Sequence, residues 1–384
     1  MVGRKNDERT NLAEADLARL KQTSLVLLAA ALAAVGVCPA QARERPIEIR
    51  AVVVTAFEIG EDTGDTPGEL QRWATALPTT LPFVGGDRPL RYDPVRKVLV
   101  LNTGIGTNRA ATATMALGTD PRFDLTRAYW MVAAIAGVNP NTGSVGSAAW
   151  IGDLVDTDYG YAIDPREAPA GWTTGIFARD SARPYGEPRG ETKYNLYPLN
   201  KGLRDWAYAL TADVTLPDSP VLAKLRAGYP EYVAAQCPPV VTIGDEATGQ
   251  TFWHGKLMND HVERWVAYWT GRPASFVMTG MEDTGIAHAL EVLQGQGKAD
   301  AKRLMVLRTG SNYSVQPEGS DAAQSLSAEA NELSALIPSV DAAYGVGSRV
   351  MAEITENWPK YRNVVPSAPA ATMLDPASCK PKPR

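Results

Sequence analysis

The chain has little of what builds a metal centre, a disulfide framework or a nucleic-acid surface. Only three cysteines and three histidines occur in 384 residues. His254, His261 and His288 share no metal-ligand spacing with a cysteine pair, so neither a structural zinc nor any other metal or cofactor is expected. Cys237 and Cys379 alone lie beyond the N-terminal segment described below, and two cysteines define no scaffold; whether they pair stays open. No basic stripe is visible and the formal net charge is -5, which removes a general pull toward nucleic acid or anionic lipid. The longest continuous apolar run, about thirteen residues, falls short of the ~20 of a membrane-spanning helix. Internal repeats are absent, and low complexity is confined to the Ala/Pro/Lys tail after Val365.

What is present fits an exported globular protein. At 45% hydrophobic and 21% charged residues the chain can bury a large core. The run LVLLAAALAAVGV at 25–37 is preceded by Arg19 and Lys21 and followed by Ala40-Gln41-Ala42, the order of a secretory signal with a small-residue cleavage site. Residues 1–42 are therefore expected to be a signal peptide, with cleavage after Ala42 and a periplasmic or secreted product that keeps no stable membrane span. A single domain is expected over 43–366, followed by a flexible Pro/Lys-rich tail at 367–384.

Within that domain, IEIRAVVVTAF at 47–57 reads as a buried strand that breaks into a Gly/Asp-rich loop. VRKVLVLNTGIG at 95–106 repeats the pattern and runs into an alanine-rich helix, and 128–159 supplies two further strands around a glycine-rich loop. Long apolar strands separated by helical patterns imply an α/β fold with a mixed, mainly parallel central sheet flanked by helices. The Pro/Gly/Tyr/Arg-rich stretch at 168–199 reads as a surface excursion or lid.

Two segments carry the chemistry. FVMTGMEDTGIAHAL at 276–290 opens a helical pattern with Met281-Glu282-Asp283, and RLMVLRTGSNYS at 303–314 ends an apolar strand in Thr309-Gly310-Ser311-Asn312. Open α/β sheets bind ligands at the carboxyl ends of their strands, so a carboxylate and an amide in these places can face one crevice. Such a pair suits a sugar hydroxyl and a heterocycle. Plainer roles exist for each: Glu282 can complement a helix dipole, Asn312 can cap a turn, and Phe252 with Trp253 can be core.

Taken in order, these elements resemble the nucleoside phosphorylase and 5′-methylthioadenosine nucleosidase superfamily, and within it the purine nucleoside permease family. The resemblance rests on the strand end near Glu58, Thr103-Gly104-Ile105-Gly106, Ala136-Gly137 with Ile151-Gly152-Asp153, Gly244-Asp245 with Trp253-His254-Gly255, Met281-Glu282-Asp283, and Arg308-Thr309-Gly310-Ser311-Asn312. It covers nearly the whole of the chain after residue 42. It implies a nucleoside phosphorylase-like fold and a purine nucleoside as ligand. In that frame Glu282 accepts hydrogen bonds from the ribose hydroxyls with Met281 under the sugar, and Asn312 supports the departing base. Gly104 and Gly106 shape the turn beside the sugar. Ala136 and Gly137 let backbone approach the base, which Phe252 and Trp253 cover. Asp245 and His254 match family positions without an assigned role.

The departures from the superfamily pattern concern phosphate. Val132 and Ile135 stand where phosphorylases carry an arginine and a hydroxyl, and Glu58, Glu61 and Asp62 fill the first loop. Acidic and apolar groups bind a dianion poorly. The resemblance then implies nucleosidase-type hydrolysis, with Glu58 holding the attacking water. Phosphorolysis using Arg109, and nucleoside binding in the service of uptake, remain alternatives. Relatives in the superfamily assemble as oligomers, and Trp265, Tyr268 and Trp269 suit either a subunit contact or the core.

Overall fold

The valine-rich strand at 51–55 already displays the layering of the molecule, because its alternate side chains point into different cores. Val52 and Val54 join one buried cluster, whereas Ala51 and Val53 join another. The same two-residue alternation separates Leu99 and Leu101 from Val98 and Val100, and Trp130 and Val132 from Tyr129 and Met131. A sheet covered on both faces follows, as the uninterrupted apolar runs require.

The computed structural model describes residues 45–187, 192–331, 335–375 and 379. The expected signal segment at 1–42 lies outside the described residues. In chain order the elements are β1 (Ile47–Glu48), β2 (Ala51–Thr55), α1 (Gln71–Ala76), β3 (Thr79–Leu81), β4 (Leu90–Asp93), β5 (Val98–Asn102), α2 (Thr107–Gly118), β6 (Phe123–Asp124), β7 (Tyr129–Val138) and β8 (Ala148–Asp156). There follow β9 (Tyr161–Ala162), β10 (Ile176–Phe177), β11 (Leu196–Pro198), α3 (Lys201–Thr211), α4 (Pro220–Ala227), β12 (Val241–Thr248), α5 (Lys256–Thr270) and β13 (Phe276–Gly280). The last are α6 (Asp283–Gly295), β14 (Leu304–Tyr313), α7 (Ala322–Asn331), α8 (Leu336–Glu356) and α9 (Trp358–Tyr361).

Ten of the strands form one mixed sheet in the order β11-β8-β12-β13-β7-β2-β5-β4-β3, with β14 pairing both β7 and β8. The long ladders, β7 with β14, β8 with β12 and β2 with β5, are parallel; β3, β4 and β11 join antiparallel at the margins. The expected α/β architecture with a mixed central sheet is present. One feature was not legible in the sequence. Because β14 bridges β7 and β8 while β13 touches β7 through Met278 and Val138, five strands close into a ring. The carboxyl ends of β7 and β13, which run in opposite directions, meet at that contact.

Helices α2 and α6 pack on one face through Ala110, Ala113, Leu117, Ile286, Leu290 and Leu293. On the other, α8 turns Val346, Val350 and Ile354 inward at spacings of four, the stripe a core-facing helix needs, beside Trp73 of α1 and Leu203 of α3. A third cluster gathers Trp265, Tyr268 and Trp269 of α5, each at most 8% exposed, with Phe276 and Ala178. These aromatics are core within the chain itself. The stretch expected as an excursion carries β10, which pairs with β9 just ahead of it, and is fastened to α5 where the Tyr185 hydroxyl meets His261 Nδ1 at 2.6 Å.

Cys237 and Cys379 form a disulfide with Cα atoms 5.3 Å apart across a sequence separation of 142 residues. A bridge that closes so long a loop restricts the unfolded chain strongly. Cys237→Ser is expected to lower unfolding free energy by about 2–4 kcal/mol, measured by urea denaturation of wild type and variant; an unchanged midpoint would deny the bridge a stabilising role.

Candidate functional site

The centre of the site is an arginine. Arg308 of β14 is 2% exposed, and four carboxyl groups from three parts of the sequence act on its guanidinium. Its Nε and Nη2 donate to Asp283 Oδ2 at 2.8 and 2.5 Å, and Nη2 also donates to Glu282 Oε2 at 2.8 Å. Nη1 donates to the carbonyl of Ile135 at 2.9 Å. Burial works against the charged guanidinium, but Asp283, Glu246, Glu282 and Glu69 outweigh it and hold the arginine protonated well above its ordinary value.

Glu69 closes the arrangement from the opposite side. Its Oε2 accepts from the Ala56 amide at 2.6 Å and its Oε1 from the Ile135 amide at 2.8 Å, so one carboxyl ties the end of β2 to β7. The peptide unit at Ile135 is thus held by Glu69 at its nitrogen and by Arg308 at its oxygen. Burial pushes the Glu69 carboxyl up to about 8, with Arg308 opposing the rise and Glu282 adding to it. An acid with that value changes charge near neutral pH, as a general base must.

Glu282 stands just before α6 and receives three donors. Gly106 N–H reaches Oε1 at 3.0 Å, and Met281 N–H reaches Oε2 at 3.3 Å beside Arg308. Gly106 has φ +101°, and a Cβ there would lie 2.3 Å from Gln250 Nε2, so only glycine permits this turn. Gly104 lies against the exposed Arg109, whose Nη1 is 3.7 Å from Asp87 Oδ1.

Behind Arg308 lies Glu246, fully buried, with its Oε1 3.7 Å from Arg308 Nε. Burial and then the neighbouring Asp283 push this carboxyl well above the usual range, with Arg308 opposing the rise. It owes its inward direction to a β-bulge: both ladders of β12 slip at Asp245/Glu246. The bulge sends Asp245 elsewhere, to accept from Asp153 N–H at 3.0 Å and from Arg272 Nη2 at 2.7 Å. Asp245 is therefore a clamp between β8, β12 and the turn after α5.

The amide expected at the base sits on a second bulge. Ser311 and Asn312 together oppose Gly137 of β7, which turns Asn312 toward the crevice. Ser311 Oγ donates to Asn312 Oδ1 at 3.2 Å and lies 3.2 Å from the Ala136 carbonyl. Gly137 N–H donates to Thr279 Oγ1 at 2.9 Å, and a Cβ at Gly137 would come 2.9 Å from that hydroxyl. Asn312 and Phe252 line two adjoining hollows. One is small, about 20 Å³, and includes Gly137, Trp253 and Met281. The other is a cleft of about 710 Å³ that reaches from Ile135 to α4 and α7.

The structure thus brings Gly106, Met281 and Glu282 together, and Ala136, Gly137, Phe252, Trp253 and Asn312 beside them. Glu58 does not join Arg308. Its Oε1 accepts from Ile59 N–H at 2.9 Å and Gly68 N–H at 2.5 Å, which folds it back on its own loop, and Asp62 is held by Arg91 at 2.5 Å. His254 Nε2 meets Ser325 Oγ at 3.0 Å, a link between the loop after β12 and α7.

The sequence profile of the purine nucleoside permease (NUP) family matches residues 48–366. The chain belongs to that family. A probable purine nucleoside permease of Schizosaccharomyces pombe is 28% identical over 353 residues, covering 87% of this chain and 98% of the relative. A purine nucleoside permease of Candida albicans is 27% identical over 266 residues, and the match spans 68% of this chain and 64% of that relative. Among solved structures, a 5′-methylthioadenosine/S-adenosylhomocysteine nucleosidase of Colwellia psychrerythraea in complex with adenine is 16% identical, with a TM-score of 0.47 over 79% of this chain and 95% of that one. Futalosine hydrolase of Helicobacter pylori is 13% identical, with a TM-score of 0.47 over 79% of this chain and 97% of that one.

Two of the five groups in this permease-family cluster, Glu69 and Glu246, were not singled out in the sequence. Glu246 left a usable trace. A glutamate inside the apolar strand VVTIGDEAT is rarely buried unless it is paired or protonated. Glu69 left none, being one of several acids in a Gly/Asp-rich loop. Asp283 and Arg308 were quoted only as neighbours of Glu282 and Asn312.

Proposed function

We propose that this family member binds purine nucleosides and hydrolyses their N-glycosidic bond, with Glu69 as the general base that activates water. The reading is supported by one arrangement: the buried Glu69 carboxyl, raised by burial, holds the amide of Ile135, a residue that lines the cleft beside Asn312, while the Ile135 carbonyl accepts from Arg308, which also donates to Glu282. In the reaction the C1′–N9 bond breaks and its electron pair leaves with the base. Water forms the new C1′–O bond and gives a proton to Glu69, while solvent protonates the base. Asn312 steadies the charge on the leaving purine, Met281 underlies the sugar, and Glu282 accepts from the ribose hydroxyls. The role first assigned to Glu58 passes to Glu69 in this reading because Glu69, and not Glu58, is among the carboxyl groups that act on Arg308; both glutamates accept from backbone amides.

Water is favoured over phosphate by the same geometry. The Ile135 amide is spent on Glu69, and Val132 is 1% exposed in the core. Desolvating a dianion beside carboxyl groups costs several kcal/mol. Binding without turnover is the second reading, favoured by the relatives' permease names. No helix among the described residues is long and apolar enough to cross a membrane. Export through the segment at 1–42 belongs to the proposal as well.

Chromatography of inosine, guanosine and adenosine incubated with the protein, with and without phosphate, separates these readings. Free ribose supports hydrolysis, ribose 1-phosphate indicates phosphorolysis, and unchanged nucleoside indicates binding alone. Glu282→Gln is expected to slow ribonucleoside turnover by about tenfold or more, the worth of a charged hydrogen bond, while sparing a 2′,3′-dideoxy analogue. Equal losses on both substrates would make Glu282 structural.

A further inference from the structure

The cleft beside Asn312 is larger than a purine ring requires. Its volume is about 710 Å³, whereas pockets of roughly 300–1,000 Å³ hold whole drug-sized ligands. Its walls are mainly apolar, with Leu225 and Tyr229 at the α4 end and Leu336 of α8 opposite. Three large apolar side chains that line it are left exposed to solvent: Val221 at 49%, Phe252 at 51% and Leu326 at 39%. They come from α4, the loop after β12 and α7, so no single amphipathic element accounts for their convergence. Exposed apolar groups gathered on one concavity mark a ligand surface. Lys224 is the one charged residue among the described lining, which disfavours a cationic occupant.

The position of the cleft relative to the sugar decides what fills it. Asn312 and Phe252 form the shared wall, Met281 lies on the small-hollow side, and the large cleft lies on the other. In the reading above, with Met281 under the ribose and Asn312 beside the departing base at its imidazole edge, the 6-position next to that edge is the part of the purine that would face the cleft. We propose that the cleft takes an uncharged apolar substituent on the exocyclic 6-position, so that the preferred ligands are purine nucleosides carrying an aromatic or branched alkyl group there. This rests on the nucleoside reading given above and goes beyond it in naming the substrate class.

The test compares adenosine, N6-benzyladenosine and 5′-benzylthioadenosine on the full protein, by calorimetric Kd and by base release. N6-benzyladenosine is expected to bind at least about tenfold more tightly than adenosine, from the apolar area it removes from water. Val221→Trp, which places an indole in the cleft, is expected to bring the ratio of the two Kd values near one. Adenosine binding with no gain for the N6-benzyl analogue overturns the assignment and leaves the nucleoside reading intact. A preference for the 5′-benzylthio compound overturns it too, by placing the sugar end in the cleft. Failure of all three to bind removes both the assignment and the nucleoside reading.

Discussion

Glu69→Gln is expected to lower base release by about 10²–10⁴-fold, the usual contribution of a general base, while nucleoside affinity stays within a few-fold. The wild-type rate should climb with pH as Glu69 loses its proton near 8, and the variant should have a flat profile through that range. Linkage supplies an independent check. The carboxyl is raised from 4.5 to about 8 in the folded protein, so folding takes up a proton between those values. The stability this contributes is present below pH 4.5 and is lost as the pH rises toward and through about 8, and Glu69→Gln should remove that slope. Glu58→Gln, by contrast, should disturb the loop that Gly68 and Ile59 close and leave the pH profile in place. A Glu69→Gln enzyme that retained full turnover with the wild-type profile would refute the assignment.

Arg308→Met should cost the fold more than any other single change, on the order of 3–5 kcal/mol. The loss comes from what is left behind. Glu282 and Asp283 would lose their shared donor inside the protein, and the Ile135 carbonyl would lose its partner. Lysine is no substitute, because one ammonium cannot reproduce a fork that reaches two carboxyl groups and a carbonyl. Urea titration monitored by tryptophan fluorescence measures the effect. Adding Asp283→Asn to Arg308→Met should recover part of the loss if uncompensated carboxylate is its source; a purely additive double variant would point to lost packing instead.

The strands were readable in the sequence wherever β-branched residues ran uninterrupted, as at Val52-Val53-Val54 and Val98-Leu99-Val100-Leu101, because burial on both faces needs no polar alternation. Gly106 and Gly137 were readable as places of close approach, and each meets a side chain that a Cβ would strike. Met281, next to Glu282, shares the small hollow with Asn312, while the Glu282 carboxyl accepts from Gly106, Met281 and Arg308. What escaped depends on contacts between distant segments. The Glu69 carboxyl acquires its character from amides at Ala56 and Ile135 and from Arg308, the last 239 positions away in the chain. The direction of Glu246 depends on a bulge, which composition does not announce. Ring closure through β14 is equally invisible, since pairing partners are a property of the whole fold.

The way the ten-stranded sheet ends bears on how the protein behaves in company. Its long strands are all flanked by partners, and its two margins, β3 and β11, are each three residues long. Pro78 and Pro82 bracket the first, and Pro198 closes the second. Proline offers no backbone donor, so neither margin can template a neighbour's strand over any useful length. Accretion of chains by strand addition is therefore blocked, and crowding at high concentration should leave the molecule free of fibrils. Among the described residues, the margins of the large sheet thus offer little to an assembly of copies.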